Sequence, residues 1–71
     1  MIIIDYYYWN ISEHKWKKAE KIFNDLPSAI RFCWSMKHRK MMLDGWRTYD
    51  PEDNQVLQRK VNIAKINGWS L

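Results

Sequence analysis

The sequence is poor in the residues that give small proteins their cross-links and their chemistry. One cysteine in 71 residues, Cys33, excludes an intrachain disulfide. His14 and His38 are the only other soft metal ligands, and no CxxC or HxxxH spacing occurs, so no metal site is expected. Two glycines are too few to cradle a phosphate, and GxGxxG, P-loop and GxSxG patterns are all missing. No cofactor is expected. No apolar run reaches the ~18 residues of a membrane span, so no membrane partner is expected. The apolar start is too short for a secretory signal and has no basic region before it. A lone thiol suits a reducing compartment, and the expected location is the cytoplasm.

What is plentiful is aromatic surface. Five Trp, four Tyr and two Phe make up 15% of the chain. A domain of this size buries only about 60% of its unfolded surface. Large rings, at roughly 150–250 Å² each, are an efficient way to build its core. The length predicts a single domain over 1–71.

The opening "MIIIDYYYWN" predicts a strand over Ile2–Trp9, which is β-branched, aromatic and closed by Asn10. Alternation puts Ile2, Ile4, Tyr6 and Tyr8 on one face and Ile3, Asp5, Tyr7 and Trp9 on the other. An unpaired buried Asp is costly, so the Asp5 face is expected to be wet and the other to lie under helices. Tyr6→Ala should then destabilise the fold, and Trp9→Ala should leave stability nearly unchanged and weaken partner binding. The opposing possibility is that Tyr7 and Trp9 are covered by the C-terminal Trp69 tail or by a second subunit.

Residues 14–23 read two ways. Trp16, Ala19, Ile22 and Phe23 fit a helical stripe capped by Ser12, but the first strand needs a neighbour for its backbone groups. A hairpin turning through "NISE" is expected. Next, "DLPSAIRFCWSMKHRK" predicts a helix capped by Asp25, with Pro27 in its first turn. Its buried stripe is Leu26, Ile30, Cys33 and Met36, widened by Ala29 and Phe32, and its last turn holds Lys37, His38, Arg39 and Lys40. Asp44-Gly45 marks a bend before a short strand containing Trp46, Thr48 and Tyr49. A second helix starts at Asp50-Pro51, buries Leu57, Val61 and Ala64 with Val56 beside them, and ends at a Gly68 cap. Trp69 and Leu71 are placed to fold back on the core. The sum is a small α+β domain in the order strand–strand–helix–strand–helix, with a three-stranded, mostly antiparallel sheet carrying two helices on one face.

No group of side chains reads as catalytic. Cys33 belongs to an apolar stripe, and His38, five residues on, would point roughly 140° away on a helix. Glu52 and Asp53 sit where a helix dipole favours acid. An enzyme is not expected.

The net charge is +4, which favours acidic partners. Basic residues gather at Lys15, Lys17, Lys18 and Lys21, at Lys37, Arg39 and Lys40, at Arg59 and Lys60, and at Lys65. The first set surrounds Trp16, and phosphate contact plus base stacking is how such a stretch would bind single-stranded nucleic acid. On a strand, however, Lys15, Lys17 and Lys21 share a face with Ala19 and Phe23, while Lys18 goes with Trp16, Glu20 and Ile22. A solvated edge strand, guarded by lysines against aggregation, and an acidic protein partner are the other readings. No RNP motif, zinc finger or convincing helix-turn-helix is present.

At "FNDLPSAIRFCWSMK" and "LDGWRTYDPEDNQVLQRKVN" the chain resembles small uncharacterised phage- and prophage-encoded proteins of Gram-positive bacteria. The likeness covers the C-terminal two-thirds and is one of general character, a short and aromatic-rich chain forming one compact α+β unit. It implies stoichiometric binding to a host protein or nucleoprotein complex, as anti-CRISPR inhibitors do. The expected function is thus a non-enzymatic binding protein that occludes host machinery. The expected partner-binding residues are Tyr7, Trp9, Lys15, Trp16, Lys17, Lys18 and Lys21. Direct RNA or DNA binding through 15–21 is the alternative, and a homo-oligomeric assembly protein, such as a homodimer, is the third option.

Overall fold

The computed structural model describes residues 1–67. Strand β1 (Ile2–Asn10) turns into β2 (Lys15–Phe23), followed by helix α1 (Leu26–Ser35), a 3-10 turn (Met36–His38), strand β3 (Met41–Thr48), helix α2 (Pro51–Lys60) and the short helix α3 (Ile63–Ile66). The three strands form one sheet in the order β2-β1-β3, antiparallel at both junctions. The α+β architecture with a three-stranded antiparallel sheet is as the sequence predicts.

The hairpin resolves the ambiguity of residues 14–23. β1 is the central strand, and β2 satisfies one side of it along its full length, from Ile2 opposite Phe23 to Asn10 opposite Lys15. Pairing outweighs the helical stripe because nine residues of β1 backbone would otherwise lack partners on that side. In the turn, Asn10 Oδ1 accepts the Glu13 N–H at 2.9 Å. His14 closes it with φ 52°, a left-handed conformation that costs an L residue about 1–2 kcal/mol.

The two faces of β1 divide as alternation predicts at Ile2, Ile4 and Tyr6, whereas Tyr8, expected with them, is half-buried and outside the core cluster. Ile2 and Ile4 are fully buried, and Tyr6 packs beside them. They join Leu43 of β3, Ala29, Ile30 and Cys33 of α1, Met36, Leu57 of α2, Val61 just beyond it, and Ile66 of α3 in one core. Half-buried Phe23, Phe32 and Trp46 close its margins. Phe32 meets Tyr6 edge-on at 5.2 Å and Phe23 at 5.3 Å.

Four element boundaries differ from the sequence expectation. α1 stops at Ser35, so Lys37, His38, Arg39 and Lys40 do not form its last turn. The chain must leave the helix early because Met41 already pairs with Tyr8. β3 therefore runs through Asp44-Gly45, and the expected bend is a bulge inside the strand, with the register slipping between Asp5–Gly45 and Tyr6–Leu43. Tyr49 lies outside the strand and is 82% exposed. α2 ends at Lys60; Asn62 then caps a new helix by accepting the Lys65 N–H. That restart changes the helical phase, so Ala64 is exposed and Ile66 takes the buried place expected of it. The expected Gly68 cap and the Trp69 and Leu71 contacts lie outside the described residues.

Both predicted N-caps are present. Asp25 accepts the Ser28 N–H and Asp50 the Glu52 N–H, each at 2.9 Å. The Ser28 N–H, helped by the Ser28 side chain, holds the Asp25 carboxyl below its ordinary value.

Candidate functional site

One face of the sheet carries the helices; the other, presented by Ile3, Asp5, Tyr7 and Trp9 of β1, contributes nothing to the core cluster. The pairing register arranges this open face in rows across the three strands. Ile22, Ile3 and Arg47 form the first, and Glu20, Asp5 and Gly45 the second. Lys18, Tyr7 and Met42 form the third, and Trp16 and Trp9 the last, near the hairpin turn.

The second row would be unstable alone, because Glu20 and Asp5 are like charges directly opposite one another. Arg47 resolves the conflict. Its Nη2 and Nε donate to the two Asp5 oxygens at 2.9 and 3.1 Å, and Nη2 also reaches Glu20. Asp5 first and Glu20 second hold the guanidinium above its ordinary pKa. Asp5 thus lies on the outer face as expected, but paired, with its side chain 17% exposed.

The last row is a built aromatic corner. The Trp9 and Trp16 rings meet edge-to-face at 5.6 Å. The Lys40 ammonium lies 4.6 Å from the Trp9 ring centroid, and the Trp9 backbone N–H donates to the Lys40 carbonyl at 3.2 Å. Both indoles are half-buried, as are Tyr7, Ile3 and Met42, while Ile22 is 57% exposed. The result is an apolar, ring-rich surface divided by one charged band.

The expected lysines do not converge on this surface. Lys18 alone is on the open face, 3.5 Å from Asp44. Lys15 and Lys17 lie on the helix side, both against Glu13, at 3.9 and 2.6 Å. The Glu13 hydrogen bond raises the Lys17 pKa. Lys21, also on the helix side, sits over the Phe23 and Phe32 rings at 5.7 and 5.2 Å. Of the expected set, the structure brings together Tyr7, Trp9, Trp16 and Lys18, and leaves Lys15, Lys17 and Lys21 behind the sheet.

Met42, Lys40 and Arg47 belong to the face without having been expected there. Met42 follows from period two once β3 starts at Met41. Arg47 had a signal in the lone Asp5, which needs a cation, but nothing local says which one.

Burial pushes the Cys33 thiol up to about 12, so it is a core side chain rather than a nucleophile at neutral pH. Among the described residues no helix is long and apolar enough to cross a membrane, and no three His, Cys, Asp or Glu side chains gather as metal ligands. Compared with protein-family models, curated proteins and solved structures, the chain matches none.

Proposed function

We propose that this chain is a non-catalytic binding protein that docks its open sheet face on a partner protein. The observation that carries the reading is the Trp9–Trp16 pair, with Tyr7 and Met42 beside it, on the side that no helix of the described residues covers. Rings held in place by their neighbours lose little freedom on binding, and Trp and Tyr anchors dominate interface energetics. A protein surface, rather than a phosphate chain, suits this face. Two of its three cations are already matched to carboxylates within the molecule, Arg47 to Asp5 and Glu20 and Lys18 to Asp44, and the third, Lys40, lies over the Trp9 ring. The likeness to phage proteins supplies the setting, the host cytoplasm, with a host protein or nucleoprotein complex as the partner. Occlusion of the anti-CRISPR type is the concrete form of action. The inert Cys33 thiol supports binding over catalysis.

The test is affinity capture from host lysate, followed by mass spectrometry. The wild-type chain and Gln55→Ala, altered on an exposed position of α2, should capture the same partner in a fixed ratio. Trp9→Ala/Trp16→Ala should lose it while keeping a native far-UV spectrum. Retention by the double variant overturns the reading. A chain that is dimeric alone and becomes monomeric in the double variant would assign the face to self-assembly instead.

A further inference from the structure

Five basic residues outside β2 are arranged differently from the lysines within it. The 3-10 turn, the end of α2 and α3 border a cleft of about 520 Å³ on the helix side of the molecule. Lys37, His38, Arg59, Lys60 and Lys65 line it, together with Trp34. Three separate stretches of the sequence contribute these groups, and only the fold brings them together.

Among the described residues, no carboxylate lines the cleft. Asp5, Glu13, Glu20 and Asp44 are engaged in ion pairs of the sheet. Asp25 and Asp50 cap helices, and Glu52 and Asp53 occupy the first turn of α2. Among the described residues, none of Lys37, Arg59, Lys60 and Lys65 makes an ion pair, whereas Lys15, Lys17 and Lys18 of β2 all do. Four like charges gathered with no counter-charge among the described residues repel one another and raise the local positive potential. A polyanion relieves that repulsion.

Trp34 narrows the choice of polyanion. Its ring is 50% exposed although it belongs to α1. Its Nε1 donates to the Lys60 carbonyl at 3.0 Å, which ties the indole to the end of α2 beside two of the cations. A fixed, accessible ring next to unpaired cations offers a nucleobase a stacking face while its phosphates meet the ammonium and guanidinium groups. An acidic peptide would use the charges and leave the ring idle. A duplex would keep its bases from the ring.

We propose that this cleft binds single-stranded nucleic acid, with phosphates against Lys37, Arg59, Lys60 and Lys65 and one base stacked on Trp34. The site lies on the opposite side of the molecule from the open sheet face, so the inference stands whether or not that face binds a protein.

The experiment is fluorescence anisotropy of a labelled thymidine or uridine oligonucleotide with the full chain, titrated at several salt concentrations. Three to four phosphate contacts on a single strand give a log–log salt slope of about −2 to −3. Arg59→Gln/Lys60→Gln should make that slope shallower by about 1.4, which is two contacts. Trp34→Ala should weaken binding about 5-fold or more with the slope unchanged, and Trp34→Phe should restore most of the loss. Lys15→Gln/Lys17→Gln in β2 and Trp9→Ala should leave both quantities as they are. Circular dichroism checks that each variant is folded. The proposal is overturned by undetectable binding at low salt, by equal affinity for poly-glutamate, by preference for duplex, or by loss in the β2 variant and not in the cleft variants.

Discussion

At the scale of single residues, the fold depends on a few polar groups placed without slack. Asn67, at the end of α3, is 5% exposed. Its Nδ2 donates to the Leu43 carbonyl at 2.7 Å and its Oδ1 accepts the Leu43 N–H at 2.8 Å. The amide thus copies what a neighbouring strand would offer. Asn67→Ala should cost about 2 kcal/mol or more, read from the denaturant midpoint, because it strands buried backbone groups. Asn67→Asp should be at least as harmful, since a carboxylate cannot donate to the carbonyl. Cys33 gives a pH prediction. Its thiol is raised to about 12 from an ordinary 9.0, so the unfolded chain ionises first as pH rises. This contribution to stability is intact below pH 9 and is lost between 9 and about 12. Cys33→Ala should show a shallower alkaline decline, and a thiol reagent should label the wild type only as fast as it unfolds. Cys33 was legible as a core residue from its stripe. Asn67 was not: its partner is 24 residues away, and no periodicity marks a side chain that hydrogen-bonds to a strand.

At the scale of elements, β1 divides the labour by alternation. Tyr6 meets Phe32 and the core, so Tyr6→Ala should cost about 3 kcal/mol in chemical denaturation. Trp9 belongs to the outer face but has a ring partner and a cation, which the sequence alone did not supply. Its truncation should cost less than that of Tyr6, though not nothing. A double-mutant cycle between Trp9 and Trp16 should return a coupling of about 0.5–1.5 kcal/mol, the value of an edge-to-face pair. The strands and the starts of both main helices were readable because caps, prolines and alternation are local signals. The helix ends were not. α1 ends where β3 must begin pairing with β1, and α2 ends where Asn62 starts a new cap; both are decided by tertiary fit over a run of good helix formers. The expectation of a single long helix from Pro51 failed at Val61, whose burial is achieved in an extended conformation.

At the scale of the whole molecule, the thin sheet separates two surfaces of opposite character. The molecule measures 38 × 21 × 14 Å. Aromatic rings with mostly matched charges lie on one side, and on the helix side lie cations that make no ion pair among the described residues, with one ring. Sites with no shared side chain behave additively. Combining Trp9→Ala/Trp16→Ala with Arg59→Gln/Lys60→Gln should therefore give the sum of the separate losses for each ligand, measured by capture and by anisotropy. The sequence displayed both sets of residues. It could not sort them, because membership of a face depends on the β1–β3 register for one and on the packing of α2 and α3 for the other.

The Asn67 amide has a bearing on solubility as well as stability. β3 is an edge strand, and an edge with open backbone groups is a template on which another chain can add. Asn67 occupies both groups of Leu43, near the middle of that edge. On the opposite edge, β2 carries lysines at 15, 17, 18 and 21, which repel an incoming strand by charge. One border of the sheet is thus plugged and the other electrostatically fenced. Loss of the plug should appear as time-dependent light scattering and strand-rich aggregates under conditions where most of the chain is still folded.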